Sequence, residues 1–390
     1  MPDVHPRFDD FPPYPLADVP RLRRQLEAEG VDIIDLGAGD ADLAPPPQAV
    51  AALKAAADDP ALGRYGFQLG HVPLREALAG WMRDRFGVAV DPAEELLPLL
   101  GSKEGIAHLA LCFVGPGDAT VVPDPGYHPY RGGTLLAGGE PHLVPLRPEH
   151  GFLIPFDEIP EDVAARTRIV YLNYPNNPTA AVAPRDYLEE AVAWCRRRNA
   201  VLCFDNAYSE IAFDGYRPPS ILEIDGARDV AVEFHSFSKT YNMTGWRVGW
   251  AVGCAPIIAA LKRVKTFIDT GHFMAVQEGA RAAVAAHGAW VPENVATFRR
   301  RRDAAASALR RAGFDVRPPR ATLYLWIPVP GDEPSESFAR RALEEEGVVV
   351  LPGGALGAGG EGFFRIALTT AEDRLVEAAA RLGRVARSQG

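Results

Sequence analysis

Cysteine is scarce in this chain. Four occur in 390 residues, at positions 112, 195, 203 and 254, and none forms a CxxC pair. Neither a zinc knuckle nor a redox motif is signalled. Cys112, Cys203 and Cys254 lie in apolar runs and read as buried thiols of a reducing compartment. Long hydrophobic runs are missing too, since no apolar stretch approaches the roughly 20 residues of a membrane span. The N-terminal MPDVHPRFDDFPPYP has neither the basic nor the apolar region of a secretory signal, so a cytoplasmic protein is expected. Positive charge is in deficit: 41 Lys and Arg stand against 51 Asp and Glu, for a net charge of -10. That argues against nucleic acid or an anionic membrane as a main partner. The signatures of P-loop NTPases, serine hydrolases and zincins are absent. Gly357, Gly359 and Gly362 satisfy GxGxxG, but they precede a strand candidate near the C-terminus instead of opening the helix of a βαβ unit, so they read as a loop. Internal repeats and low-complexity segments are lacking as well.

What is present is an alternation. An extended Pro-rich arm over residues 1–19, a short helix over 21–29 and a strand over 32–37 lead to a helix from Pro47. From about residue 95 to 255, apolar strand candidates (96–100, 119–123, 168–172, 200–204, 230–234 and 246–252) are separated by helical stretches such as 102–113 and 184–198. Short apolar strands alternating with helices predict an α/β fold with a mostly parallel central sheet. After Ile257 helices dominate, one of them expected from Pro292, with Arg299, Arg300, Arg301 and Arg302 on its solvated face and ends. TLYLWIPV, a helix over 335–346, VVVLPG, FFRIAL and a last helix then make a smaller α+β domain. The expected division is residues 1–45 as arm and part of the small domain, 46–288 as the large domain and 289–390 as the small C-terminal domain.

Four stretches carry residues suited to chemistry. HSFSKTYNMTGWRVGW, 235–250, sets Lys239 among Ser236, Ser238 and Thr240, with Arg247 eight positions on. Lysine forms Schiff bases with carbonyl cofactors, and the arginine suits an anion; a surface lysine on a turn has the same local look. LGSKEGIAHLALCF, 100–113, turns from a strand into a helix at Gly101 and Ser102, where free N–H groups and the helix dipole favour a phosphate; capping by Ser102 is the plainer alternative. YLNYPNNPTA, 171–180, ends a strand in Asn176 and Asn177, which mark either a ligand site or a simple turn. AVLCFDNAYSEIAF, 200–213, ends a fully apolar strand in Asp205, with Tyr208 three residues on. A buried carboxylate needs a partner, either a protonated pyridine nitrogen or a structural salt bridge.

In this order, the four stretches resemble the class I/II aminotransferases, of the fold type I pyridoxal phosphate enzymes, over nearly the whole chain. PPYPLADV, LGSKEGIAHL, EIAFDGYRPPS and SKTYNMTGWRVG are most similar to the LL-diaminopimelate aminotransferases and their relatives. The resemblance implies pyridoxal 5'-phosphate as cofactor, with Lys239 as its Schiff-base lysine. It implies Arg247 for the phosphate, helped by Ser236, Ser238 and the backbone of Ser102 and Lys103. Asp205 would pair with the ring nitrogen, Asn177 and Tyr208 with the ring 3-oxygen, and Tyr127 would stack on the ring. Arg365 in FFRIALTT would clamp the substrate α-carboxylate, with Gly39 as a backbone contact; Tyr14, Lys103, Tyr127 and Asn177 also fall on the substrate side.

Tyr65 resembles a tyrosine that reaches the neighbouring subunit's cofactor phosphate, which implies a homodimer. The implied activity moves an amino group from an LL-diaminopimelate-like or other dicarboxylic donor to a 2-oxo acid such as 2-oxoglutarate, with ping-pong kinetics. A β-lyase, a decarboxylase or a non-catalytic sensing domain could share the scaffold. The sequence departs from the pattern at GDAD (39–42), PTA (178–180) and His128, which follows Tyr127 where proline is common.

Overall fold

The computed structural model describes residues 3–5, 8–9, 11, 19–66 and 70–388. Helix α1 (Val19–Ala28) leads to the two-residue strand β1 (Ile34–Asp35), then α2 (Pro47–Ala57) and α3 (Val72–Phe86). Strands and helices then alternate: β2 (Leu96–Leu99), α4 (Ser102–Phe113), β3 (Ala119–Asp124), α5 (His128–Ala137), β4 (Glu140–Pro145), α6 (Glu161–Arg166), β5 (Thr167–Asn173), α7 (Arg185–Arg198), β6 (Val201–Asp205), β7 (Ala231–Ser236), the short α8 (Phe237–Thr240) and β8 (Gly249–Gly253). Helices α9 (Ala255–Thr266), α10 (Met274–Ala285) and α11 (His287–Arg311) follow. The chain ends through β9 (Tyr324–Pro328), α12 (Ser335–Glu346), β10 (Val348–Val349), β11 (Leu351–Pro352), β12 (Phe363–Ala367) and α13 (Glu372–Arg387).

Seven strands form the main sheet in the order β2-β8-β7-β6-β5-β3-β4. β7, β6, β5, β3 and β4 are mutually parallel, and β8 runs antiparallel to both its neighbours. β3, β5, β6 and β7 are almost wholly buried, as expected where helices cover both faces. Their C-terminal ends lie on one edge, and the order reverses at β3, the position where open α/β sheets bind ligands. A second core joins Ile34 and Leu36 to residues 298–385. There β12 pairs antiparallel with β9 and β11, and β1 pairs parallel with β10.

Three boundaries differ from expectation. The strand over 32–37 shrinks to Ile34–Asp35, because the Asp35 carboxylate accepts the Gly37 N–H at 2.9 Å and turns the chain out of the sheet. The strand expected from Trp246 begins at Gly249, since Trp246 closes a 3-10 turn and Arg247 has a left-handed φ of 57°. The helix expected from Pro292 begins at His287 and contains that proline; only Ala286, itself helical, separates α10 from α11. The arginine run is also only half solvated. Arg301 and Arg302 are buried and form ion pairs with Asp42 (2.6 Å) and Asp214 (2.6 Å). Arg301 thereby ties α11 to the 37–42 turn.

Candidate active site

The C-terminal ends of β3, β5, β6 and β7 open into a cleft of about 510 Å³. All of the residues given a cofactor or substrate role above line it, except Tyr65 and Tyr14; Gly101, Asn176 and Thr240, which stand in the same stretches, do not. Tyr65 is 79% exposed on its own chain's surface, and Tyr14 lies outside the described residues.

At the floor, Asp205 is the last residue of β6 and 4% exposed. Its Oδ2 accepts the Tyr130 hydroxyl proton at 2.8 Å, and Oδ1 is buried with no hydrogen-bond partner. No cation pairs with it among the described residues, so the structural salt bridge is not what β6 ends in. Burial pushes the Asp205 carboxyl up to about 6, against the Tyr130 hydrogen bond. Lys239 stands one turn into α8, just past β7, and its Nζ donates to the Gly39 carbonyl. Ser236 caps α8 by accepting the Ser238 N–H at 3.1 Å.

At one end of the cleft, α4 starts with Gly101 as N-cap and no side-chain cap. Ser102 is thus a helical residue, not the cap, and the first N–H groups stay available to an anion. Gly101 has a φ of 80°, and a Cβ there would overlap the Arg247 guanidinium. The left-handed turn at Arg247 thus lays its guanidinium across the start of α4, with Nη1 donating to the Thr244 carbonyl at 2.8 Å.

At the other end, Arg365 on β12 donates from Nη1 to Asn177 Oδ1 at 2.7 Å and from Nη2 to the Gly37 carbonyl at 2.6 Å. Its guanidinium carbon lies 4.1 Å from the centroid of the Tyr324 ring. Tyr208 donates to the Tyr324 hydroxyl at 3.2 Å. Burial raises the Tyr208 phenol well above its usual range. At Tyr324 burial pushes the same way, but the Arg365 and Lys239 charges and the Tyr208 contact outweigh it and hold that phenol below its usual range. Gly39 fits because a Cβ there would overlap the Tyr324 hydroxyl. Lys103 reaches over the Tyr127 ring, 5.9 Å from its centroid.

Three lining or supporting residues escaped the sequence reading. Tyr130 stands three positions after Tyr127 on α5, a spacing that gives two residues one helix face and could have drawn attention to it. Tyr324 sits in an apolar strand with no local signal. His128 stands out in the sequence only as a departure from a pattern, yet it lines the cleft.

Comparison with known proteins agrees with this geometry. The family model for aminotransferase class I and II matches residues 31–382. The LL-diaminopimelate aminotransferase of Desulforudis audaxviator is 48% identical over 376 residues, 96% of each chain. That of Moorella thermoacetica is 46% identical over 379 residues, 97% of each. A substrate-bound BacF structure from Bacillus subtilis superposes with a TM-score of 0.94 at 33% identity, covering 99% of this chain and 98% of that one. Thermus thermophilus aspartate aminotransferase with maleate gives 0.90 at 28% identity, covering 99% and 100%. An α/β chain with an amine, a buried carboxylate and a guanidinium clamp around one cleft, matched along nearly its whole length, belongs to the class I and II aminotransferases and transfers amino groups.

Proposed function

We propose that this aminotransferase works with pyridoxal 5'-phosphate, takes an LL-diaminopimelate-like or other dicarboxylic amino donor, and passes the amino group to a 2-oxo acid such as 2-oxoglutarate. The observation that carries the cofactor reading is the buried, unpartnered Asp205 Oδ1 in the same cleft as the Lys239 amine. A protonated ring nitrogen would satisfy that oxygen. The uncapped start of α4, with Arg247 across it, suits a phosphate. The donor class rests on the relatives at 46–48% identity, which are LL-diaminopimelate aminotransferases. When bound, pyridoxal phosphate supplies an aldehyde that condenses with amines and a ring that takes up the electron pair of the broken C–H bond.

This chain's residues do the rest. Arg365, held by Asn177 and Gly37, grips the substrate α-carboxylate through its planar fork. Lys239 would be the amine that holds the cofactor and, once free, the general base and then acid that moves the substrate α-proton. Asp205 would hold the ring nitrogen in its protonated form, and Tyr130 holds Asp205 in place. Tyr208 and Asn177 would supply polar contacts to the ring oxygen, and Tyr127 an aromatic surface for the ring. The acceptor oxo acid runs the same steps in reverse.

Replacing Lys239 by Ala should abolish both the visible cofactor absorbance and turnover. Full activity in that variant would end the reading. Oxo acid formed only when 2-oxoglutarate is supplied marks transfer; formation without an acceptor would mark a lyase.

We further infer a homodimer with Tyr65 serving the partner's site, a cytoplasmic location, and a division of the chain into 1–45 with 289–390 against 46–288. The division is supported by the core that joins Ile34 and Leu36 to residues 298–385, against which Tyr208, Ile211 and Phe213 of the large part also pack. No helix among the described residues is long and apolar enough to cross a membrane.

A further inference from the structure

The cleft offers more cationic groups than the proposed cofactor phosphate and one α-carboxylate would use. Arg247 and the start of α4 form one anion locus, and Arg365 with Asn177 forms a second. Lys103, in the first turn of α4, belongs to neither, and among the described residues no carboxylate pairs with it. His128, the first residue of α5, lines the same cleft. The β3–α5 turn sets its imidazole in the field of both Lys103 and Arg365. The wall beside it comes from the C-terminal part of the chain: the Gly126 N–H donates to the Leu356 carbonyl at 3.1 Å, which brings Leu356 against the turn carrying Tyr127 and His128. Val349 and Leu351 line the cleft as well. An apolar strip therefore accompanies a cationic side chain, Lys103, that the α-carboxylate clamp of Arg365 and Asn177 does not engage.

We propose that His128 is a specificity-determining residue which, with Lys103, binds the distal carboxylate of a dicarboxylic amino donor. The assignment rests on the aminotransferase reading and deepens it, by saying which groups of this chain select the donor class. Burial first, and then the charges of Lys103 and Arg365, hold the His128 imidazole below its usual range, so an empty corner carries little repulsion between cations. A distal carboxylate arriving beside it supplies the opposite charge that favours the imidazolium, and it accepts hydrogen bonds from the ring and from Lys103. A methyl group at the same place gains neither. The selectivity is thus a difference between two donors of equal length. Leu356, Val349 and Leu351 serve the methylenes that both donors share.

The test uses holoenzyme, the His128→Asn and Lys103→Gln variants, and two donors of one chain length, 2-aminoadipate and norleucine. The half-reaction with donor alone, followed by cofactor absorbance, keeps the oxo-acid acceptor out of the measurement. Binding of glutarate, which cannot react, is measured in parallel by calorimetry. For loss of a charge-assisted hydrogen bond, the ratio of 2-aminoadipate to norleucine efficiency should fall about tenfold in each variant. The change should appear in the half-saturating concentration and not in the limiting rate, and glutarate binding should weaken by a similar factor. A common factor for both donors in His128→Asn, or unchanged glutarate binding, overturns the assignment. If no amino acid alters the parent enzyme's cofactor absorbance, the activity reading falls, and glutarate binding to parent and variants still decides the role of His128.

Discussion

At the residue scale, Asp205 shows how the proposed cofactor contact opposes stability. Its folded-state carboxyl titrates at about 6 against an ordinary 3.8. In the cofactor-free chain the native state therefore holds a proton that the unfolded state has lost, and stability falls as pH rises between those values. Asp205→Asn keeps an acceptor for Tyr130 and removes that loss. At pH 7 the cofactor-free variant should be more stable than the parent, by up to about 3 kcal/mol, in denaturant unfolding. It should bind the cofactor more weakly, because a neutral amide does not hold a ring nitrogen protonated. A parent and variant of equal stability at pH 7 and at pH 4 would refute the sign. Lys239, Arg247 and Asp205 stand out locally, as a lysine among hydroxyls, an arginine eight positions on and a carboxylate ending an apolar strand, each with a structural alternative, whereas Arg365, central in FFRIAL, is singled out only by the family resemblance. Tyr130 and Tyr324 were not legible in the sequence, because an aromatic within an apolar run looks like core until the fold turns its hydroxyl toward a partner.

At the scale of elements, helices 102–113 and 335–346 came out as their patterns predicted, and the parallel strands fell within a residue or two. Errors arose where a tertiary demand overrode a local pattern, as with the alternating apolar residues at 246–252 that suggested a strand. A Cβ at Gly249 would lie 2.6 Å from the Ser102 nitrogen, so the chain must arrive flush against α4, and Arg247 turns aside to do so. The orientation of α4 has its own support. Lys265 on α9 is 1% exposed and forms ion pairs with Glu104 and Asp269 at 2.9 Å, while Glu104 also accepts the Leu100 N–H at 2.8 Å. Burial would raise the Glu104 carboxyl, but His108, Lys265 and that N–H outweigh it and hold it at about 2. Its contribution is thus present above the ordinary carboxylate range near 4.5 and is lost as pH falls toward 2. Lys265→Met strands two carboxylates and should cost about 3–5 kcal/mol at neutral pH. In the variant, the loss of stability on acidification should also begin at a higher pH in a thermal melt series.

At the scale of the whole molecule, sheet order and the reversal of β8 were beyond sequence reasoning, because an apolar run has no readable direction. The proposed dimer would need a surface to form on. Phe267 is 84% exposed and Tyr65 79%, with Ile268 and Phe273 also exposed. Gly66 packs so closely on Met274 that a Cβ would overlap its sulfur, which brings the Tyr65 and Phe273 segments onto one face. Exposed apolar groups gathered in this way are what the proposed dimer would cover. Sedimentation should report a dimer, and Phe267→Asp should shift it toward monomer. Tyr65→Phe should keep the dimer and weaken cofactor binding about tenfold. A parent that sediments as a monomer would remove the shared site.

Arg365 grips a carbonyl 328 positions earlier in the chain, and Thr369 does the same across 331. During synthesis the chain leaves the ribosome from its N-terminus, and domains fold as they emerge. Residues 102–247, which carry the proposed cofactor contacts, are complete while β12 is still unmade. Gly37 and Ala38 wait through almost the whole of translation for the partners that give them a task. The growing polypeptide therefore completes the proposed cofactor contacts of residues 102–247 before the proposed α-carboxylate clamp at Arg365 exists.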